Sequence, residues 1–218
     1  MKRIALFTLL IICSFSFQSI AQSEMIDKGF SIKFAFGFPE STYAFDGDIP
    51  FPDGLDINTT YGLEIGNQWY FLKEESFGLG LDVNWIDLQY GYASAEDPLI
   101  GEIRRNTLEG SFLEFGPVAT FAFKDMFAID AYYNLRPTVL ASYYRDQNDD
   151  FILLQDFSFA HGLGLGARFK ILYIGYEYTF GNFDGEISAD GEYEDVPEEF
   201  DRQKMSGINS KLIIGLQF

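Results

Sequence analysis

The chain has 218 residues, 47% of them hydrophobic and 18% aromatic, with 24 Phe, 13 Tyr and 21 Gly. Its formal net charge of −18 and pI near 4.2 exclude the basic patch that nucleic-acid binding needs and work against docking on anionic lipid. A mean hydropathy of −0.02 with so many large apolar side chains excludes a disordered chain.

The first residues read MKRIALFTLLIICSFSFQSIAQ. Lys2 and Arg3 form a positive start, Ile4 to Phe17 an apolar stretch, and Ser19-Ile20-Ala21 a small-x-small cleavage site, the pattern of a secretory leader. The apolar run is too short to span a membrane comfortably. The expected organisation is therefore a leader over residues 1–22, removed on export, and one β domain over 23–218. The sole cysteine, Cys13, follows Ile12 rather than a small residue, so lipidation is not expected. Without the leader the chain has no thiol or disulfide chemistry.

Beyond the leader no apolar run has the length of a transmembrane helix, and period-two alternation takes over. Phe30, Ile32, Phe34, Phe36 and Phe38 alternate with Ser31, Lys33, Ala35 and Gly37. Tyr61, Leu63, Ile65, Trp69 and Phe71 alternate with Gly62, Glu64, Gly66 and Gln68, and Phe77 to Trp85 set Leu79, Leu81 and Val83 against Gly78, Gly80, Asp82 and Asn84. Leu113 to Phe123 oppose Phe115, Pro117, Ala119 and Phe121 to Glu114, Gly116 and Thr120. The second half repeats the scheme over Phe127–Val139, Phe159–Phe169, Leu172–Phe180 and Ile208–Phe218. These are eight strands of about ten residues each. Short links fall near 72–76, 124–126 and 170–171, and long polar links near 39–60, 92–107, 145–156 and 182–206. Short turns on one side and long loops on the other are the pattern of an outer-membrane barrel. A soluble barrel would dress its exterior with charge, whereas here the second face is Gly, Thr, Asn and a few charges.

With these alternating strands, unequal links and the terminal KLIIGLQF, the chain resembles the small outer-membrane β-barrels of the OmpA and OmpX type. The resemblance covers nearly the whole mature chain and is one of architecture. It implies an all-β fold: a transmembrane antiparallel up-and-down barrel of eight strands in the outer membrane of a Gram-negative bacterium, with both ends in the periplasm. It implies too that the last strand and its aromatic Phe218 are read by the barrel-assembly machinery as an insertion signal. The last strand is expected to pair with the first, since lipid cannot satisfy free backbone groups.

Eight strands leave an interior just wide enough for side chains. The alternation puts Glu64, Asp82, Glu114, Asp130, Arg136, Arg168, Glu177 and Lys211 there, and the expectation is a structural ionic network. Buried charges need such partners, and barrels of this type commonly carry a polar plug. Arg168 is expected to serve several carboxylates, and the inner glycines to make room for Arg and Tyr side chains. Outer aromatics are expected in two girdles. Trp69, Phe71, Phe77, Phe121, Phe123, Phe127, Phe169 and Phe218 lie beside the short turns, and Phe38, Tyr61, Trp85, Tyr143, Phe159 and Phe180 toward the loops.

His161 is the only histidine, and Ser158 falls on the opposite face. The His–Ser arrangement of lipid A-modifying barrel hydrolases is therefore not matched, and no catalytic residue is expected. There is no phosphate-binding or dinucleotide fingerprint and no His or Cys metal cluster, so no cofactor is expected. The loops DGDIPFPDGLD and DGEISADGEYEDVPEEFD are acidic without calcium-loop spacing. The expected role is non-enzymatic: a monomeric surface barrel meeting outer-membrane lipid and lipopolysaccharide, its long loops open to an extracellular ligand. The alternatives are a narrow channel for small solutes and a lipid A-modifying hydrolase.

Overall fold

The computed structural model describes residues 26, 29–41, 55–97, 101–123, 126–145, 151–190 and 202–218. The leader expected over 1–22 lies outside them. Eight strands follow one another: β1 (Phe30–Ser41), β2 (Thr60–Lys73), β3 (Phe77–Asp97), β4 (Gly101–Phe123), β5 (Phe127–Arg145), β6 (Phe151–Phe169), β7 (Leu172–Asp190) and β8 (Arg202–Gln217). Each pairs antiparallel with the next, and β8 pairs back onto β1 from Ser31↔Gln217 to Ser41↔Ile208, closing the sheet. At the seam Phe218 donates its backbone N–H to the Phe30 carbonyl at 2.7 Å, and the two rings stack at 6.4 Å.

Alternation along each strand sorts the side chains. Phe34, Leu81, Leu165, Ile174 and Ile214 stand exposed on the outside, while the alternate residues Lys33, Asp82, Arg168, Glu177 and Lys211 are buried within. This inside-out distribution, polar within and apolar without, suits a barrel whose outer solvent is lipid. Outward polar groups pair along the wall. Trp85 Nε1 donates to Asn67 Oδ1 at 3.1 Å and the Tyr90 hydroxyl to Asn106 Oδ1 at 2.6 Å. The Tyr176 hydroxyl donates to Ser210 Oγ at 2.9 Å. The chain is thus an all-β outer-membrane barrel, antiparallel and up-and-down.

The strands are longer than their periodicity suggests. A tilted strand crosses a bilayer in about 9–11 residues, yet β3 to β7 have 19 to 23. Most of the residues expected in the three later long links are in fact strand: β3 runs to Asp97, β4 starts at Gly101, β6 at Phe151, and β8 at Arg202. Polar sequence there misled, because a strand standing clear of lipid no longer needs an apolar face. The short turns fall where expected.

One irregularity matters for the interior. Against β2, Asn84 pairs with Gly66 and Ile86 with Ile65, so Trp85 is an extra residue. Against β5 the register shifts between Ser111 and Phe115, and Leu113 there has a φ of 57°. These facing bulges reverse the parity of both strands. Below them Asp82, Asn84, Glu114 and Gly116 point inward; above them Asp87, Gln89, Glu109 and Ser111 do. Trp85 is correspondingly not a loop-side girdle residue: its ring meets Trp69 at 5.7 Å, because β3 climbs a further twelve positions to Asp97.

Candidate functional site

The lumen is the one place where chemistry-bearing side chains converge among the described residues. It fills in layers. At the short-turn end Ile26, fully buried, packs with Ala122, Ala128 and Tyr70. Above it Gln217 Nε2 and the Tyr70 hydroxyl both donate to Gln68 Oε1 at 2.8 Å. Arg168 sits over Tyr70 and reaches Asp130 Oδ1 at 2.8 Å, which also accepts the Thr120 hydroxyl at 2.6 Å.

The next layer is aromatic. Lys33 Nζ lies 4.8 Å from the centre of the Tyr173 ring and 5.9 Å from that of Tyr132, and 4.0 Å from Glu64. These rings fit only because glycine faces them. A Cβ on Gly164 would run into the Tyr132 ring, and one on Gly166 into Tyr173. Asn134 Nδ2 donates to Asp82 Oδ2 at 2.8 Å in the same region.

Arg136 is the hub of the charged layer. Its guanidinium reaches Asp87 Oδ2 and Glu177 Oε1, each at 2.6 Å, Glu114 at 3.1 Å and Glu109 at 3.3 Å. Lys211 Nζ touches two of the same groups, Asp87 at 2.7 Å and Glu177 at 3.2 Å. Arg136, Arg168 and Lys211 are all fully buried. Toward the loops come neutral hydroxyl pairs, Ser111 with Thr138 at 2.7 Å and Thr107 with Ser142 at 2.8 Å. Apolar groups close this end too: Leu140, Ala160 and Phe183 cluster, and Leu55 and Ile57 are buried although their neighbours Asp56 and Asn58 are exposed. Arg105 holds that segment by donating to the Leu55 carbonyl at 3.2 Å.

All eight charged residues expected inside are buried, but their roles divide differently. The part expected of Arg168, serving several carboxylates, falls to Arg136, which four carboxylates reach, while the ion pair of Arg168 is with Asp130. The geometric reason is height. Arg168 is one residue from the turn and, among the described residues, shares its layer with Asp130, whereas Arg136 faces the bulges. Asp87 and Glu109 are new to the set. A straight continuation of the Asp82–Asn84 alternation points Ile86 and Leu88 inward, and only the bulge at Trp85 brings Asp87 in. Lys33 is legible from alternation with the phenylalanines of β1; the burial of Leu55 and Ile57 has only their short alternation with Asp56 and Asn58, and that of Ile26 has no periodic signal.

On the outer wall the His161 ring stacks between Phe180 at 5.2 Å and Tyr133 at 5.9 Å, with the Tyr133 hydroxyl 2.7 Å from Nδ1.

No protein-family model matches the sequence, and no curated protein does. Among solved structures the chain is similar to Ail, the attachment invasion locus protein of Yersinia pestis, in complex with the heparin analogue sucrose octasulfate: TM-score 0.49, 14% identity, 88% of this chain and 99% of that one. It is similar also to the outer membrane protease OmpT of Escherichia coli (TM-score 0.47, 9% identity, 88% and 93%) and to OprG of Pseudomonas aeruginosa (TM-score 0.44, 13% identity, 88% and 96%).

Proposed function

We propose that this barrel is a closed, non-enzymatic anchor in a Gram-negative outer membrane, whose acidic loops do the work outside. One observation carries the reading: the lumen is filled along its length, with the Arg136 hub at its middle and apolar side chains at both ends. A narrow barrel with fully buried Arg136, Arg168 and Lys211 leaves no wide aqueous path. His161 pairs with a tyrosine rather than a serine, which supports a wall without catalytic chemistry. On this reading the leader over 1–22 is cleaved, the short turns face the periplasm, and Phe218 carries the assembly signal. Lipopolysaccharide surrounds the outer half, and an extracellular ligand meets the strand extensions and loops.

The test pairs two measurements. Purified barrel in planar bilayers should show no steady single-channel current, and cells making it should show an unchanged lipid A mass profile. A steady current that a lumen substitution alters would make the protein a channel. A modified lipid A that depends on His161 would make it a hydrolase.

A further inference from the structure

The outward apolar side chains run to two different heights around the wall. On β1, β2, β7 and β8 the run ends at Phe38, Tyr61, Phe180 and Ile208, which covers the ~9–11 residues with which a tilted strand crosses a bilayer. On β3 to β6 it reaches Tyr92, Leu108, Tyr143 and Leu153, roughly 15 Å higher at the rise and tilt of a barrel strand. The bulges at Trp85 and Leu113 are what turn Tyr90, Tyr92 and Leu108 outward there. Register sets the side chains beside one another: Tyr92, Asn106, Tyr143 and Leu153 form one cross-strand row. Tyr90, Tyr92, Leu108 and Phe157 are each about half exposed. This face starts where the hydrocarbon ends, so lipid tails do not cover it.

The chemistry of the face selects its occupant. Tyrosine presents a flat apolar ring with a polar edge, and the Tyr90 hydroxyl already donates to Asn106 Oδ1 at 2.6 Å, a surface suited to sugar rings. In the next outward row Arg104 and Arg145 stand directly across from each other, both exposed. Glu102 reaches Arg104 at 2.8 Å and itself faces Glu96 at the β3–β4 tip. Like charges directly opposite on a sheet are destabilising, and an anion between the two arginines relieves this. On a chain of net charge −18 the pair is a local reversal of sign, and guanidinium forks match phosphate oxygens. The face also continues without a break from the lipid-facing wall, so its ligand stands on the same membrane. We propose that the outer face of β3 to β6 above the bilayer binds the phosphorylated core sugars of the outer-leaflet glycolipid, lipopolysaccharide. Tyr90, Tyr92 and Tyr143 lie under the sugar rings, and Arg104 and Arg145 hold a phosphate. The proposal rests on the outer-membrane anchor reading and adds a fixed glycolipid contact to one side of the barrel.

The experiment refolds the full chain into phosphatidylcholine vesicles that contain rough lipopolysaccharide, the same glycolipid with its core phosphates removed, or lipid A without core sugars. Glycolipid retained per barrel is measured after detergent washing, and the gel shift of folded barrel reports insertion. Rough lipopolysaccharide should be retained, and the other two about tenfold less, the effect of losing a charge-assisted hydrogen bond. Arg104→Gln with Arg145→Gln should lower retention by a similar factor, and so should Tyr90→Ser with Tyr92→Ser. Lys73→Gln, on an exposed residue at the opposite end of the barrel, should leave it unchanged. Equal retention of rough lipopolysaccharide and lipid A overturns the proposal, as does a double-arginine variant that retains as much as wild type. Dimers in glycolipid-free vesicles that the tyrosine variant abolishes also overturn it, by assigning the face to a second copy. An inserted wild-type barrel that retains no glycolipid refutes this contact and leaves the anchor reading standing, whereas a chain that does not insert refutes both.

Discussion

Replacing Arg136 by Met is the sharpest test of what holds the lumen together. The substitution keeps most of the side-chain bulk and removes bonds of 2.6 Å to Asp87 and Glu177, 3.1 Å to Glu114 and 3.3 Å to Glu109. Removing one partner of a buried ion pair costs about 3–5 kcal/mol, mostly because the other charge is stranded. The four losses do not add, since Lys211 still contacts Asp87 and Glu177 and Asn84 still donates to Glu114 at 3.2 Å. The expected loss is therefore one such penalty. Arg168→Met is the comparison. Among the described residues it strands Asp130, which keeps the Thr120 hydroxyl, and should cost about 3–5 kcal/mol for the same reason. The assay is equilibrium urea unfolding in vesicles, followed by fluorescence of the Trp69–Trp85 pair on the wall and by the gel shift of folded barrel. An Arg136→Met barrel as stable as wild type would refute the assignment of the hub.

Ile174→Arg, on an exposed outer position whose neighbours across the sheet are Ala167 and Ile214, should oppose insertion by about 2–4 kcal/mol if it lies near the midplane; a penalty independent of bilayer thickness would mean that it does not face lipid. Gly164→Ala drives a methyl into the buried Tyr132 ring and should cost about 1–3 kcal/mol by overpacking, to be read from the urea midpoint, and a neutral result would show that the ring is not fixed there. Deleting Leu113 removes the bulge on β4, turning Glu109 and Arg105 out of the lumen, and should abolish the folded band on gels; a normally folded deletion variant would show that the parity switch is dispensable.

The sequence by itself settled the architecture. Period-two alternation in eight runs with unequal links leaves one closed solution in lipid, because unpaired backbone groups cannot be satisfied there. The same alternation placed Glu64, Asp82, Glu114, Asp130, Arg136, Arg168, Glu177 and Lys211 on the inner face, since side-chain parity is a local property of an unbroken strand. What it could not carry past Trp85 and Leu113 was that parity, and with it the inward aim of Asp87 and Glu109. A bulge is defined by pairing against a neighbouring strand, which no single strand's pattern contains. For the same reason Arg136 and Arg168 read alike in sequence. Only the height that closure gives each strand decided that, among the described residues, one arginine meets four carboxylates and the other pairs with Asp130, and only the folded ends of the barrel brought Ile26, Leu55 and Ile57 inside.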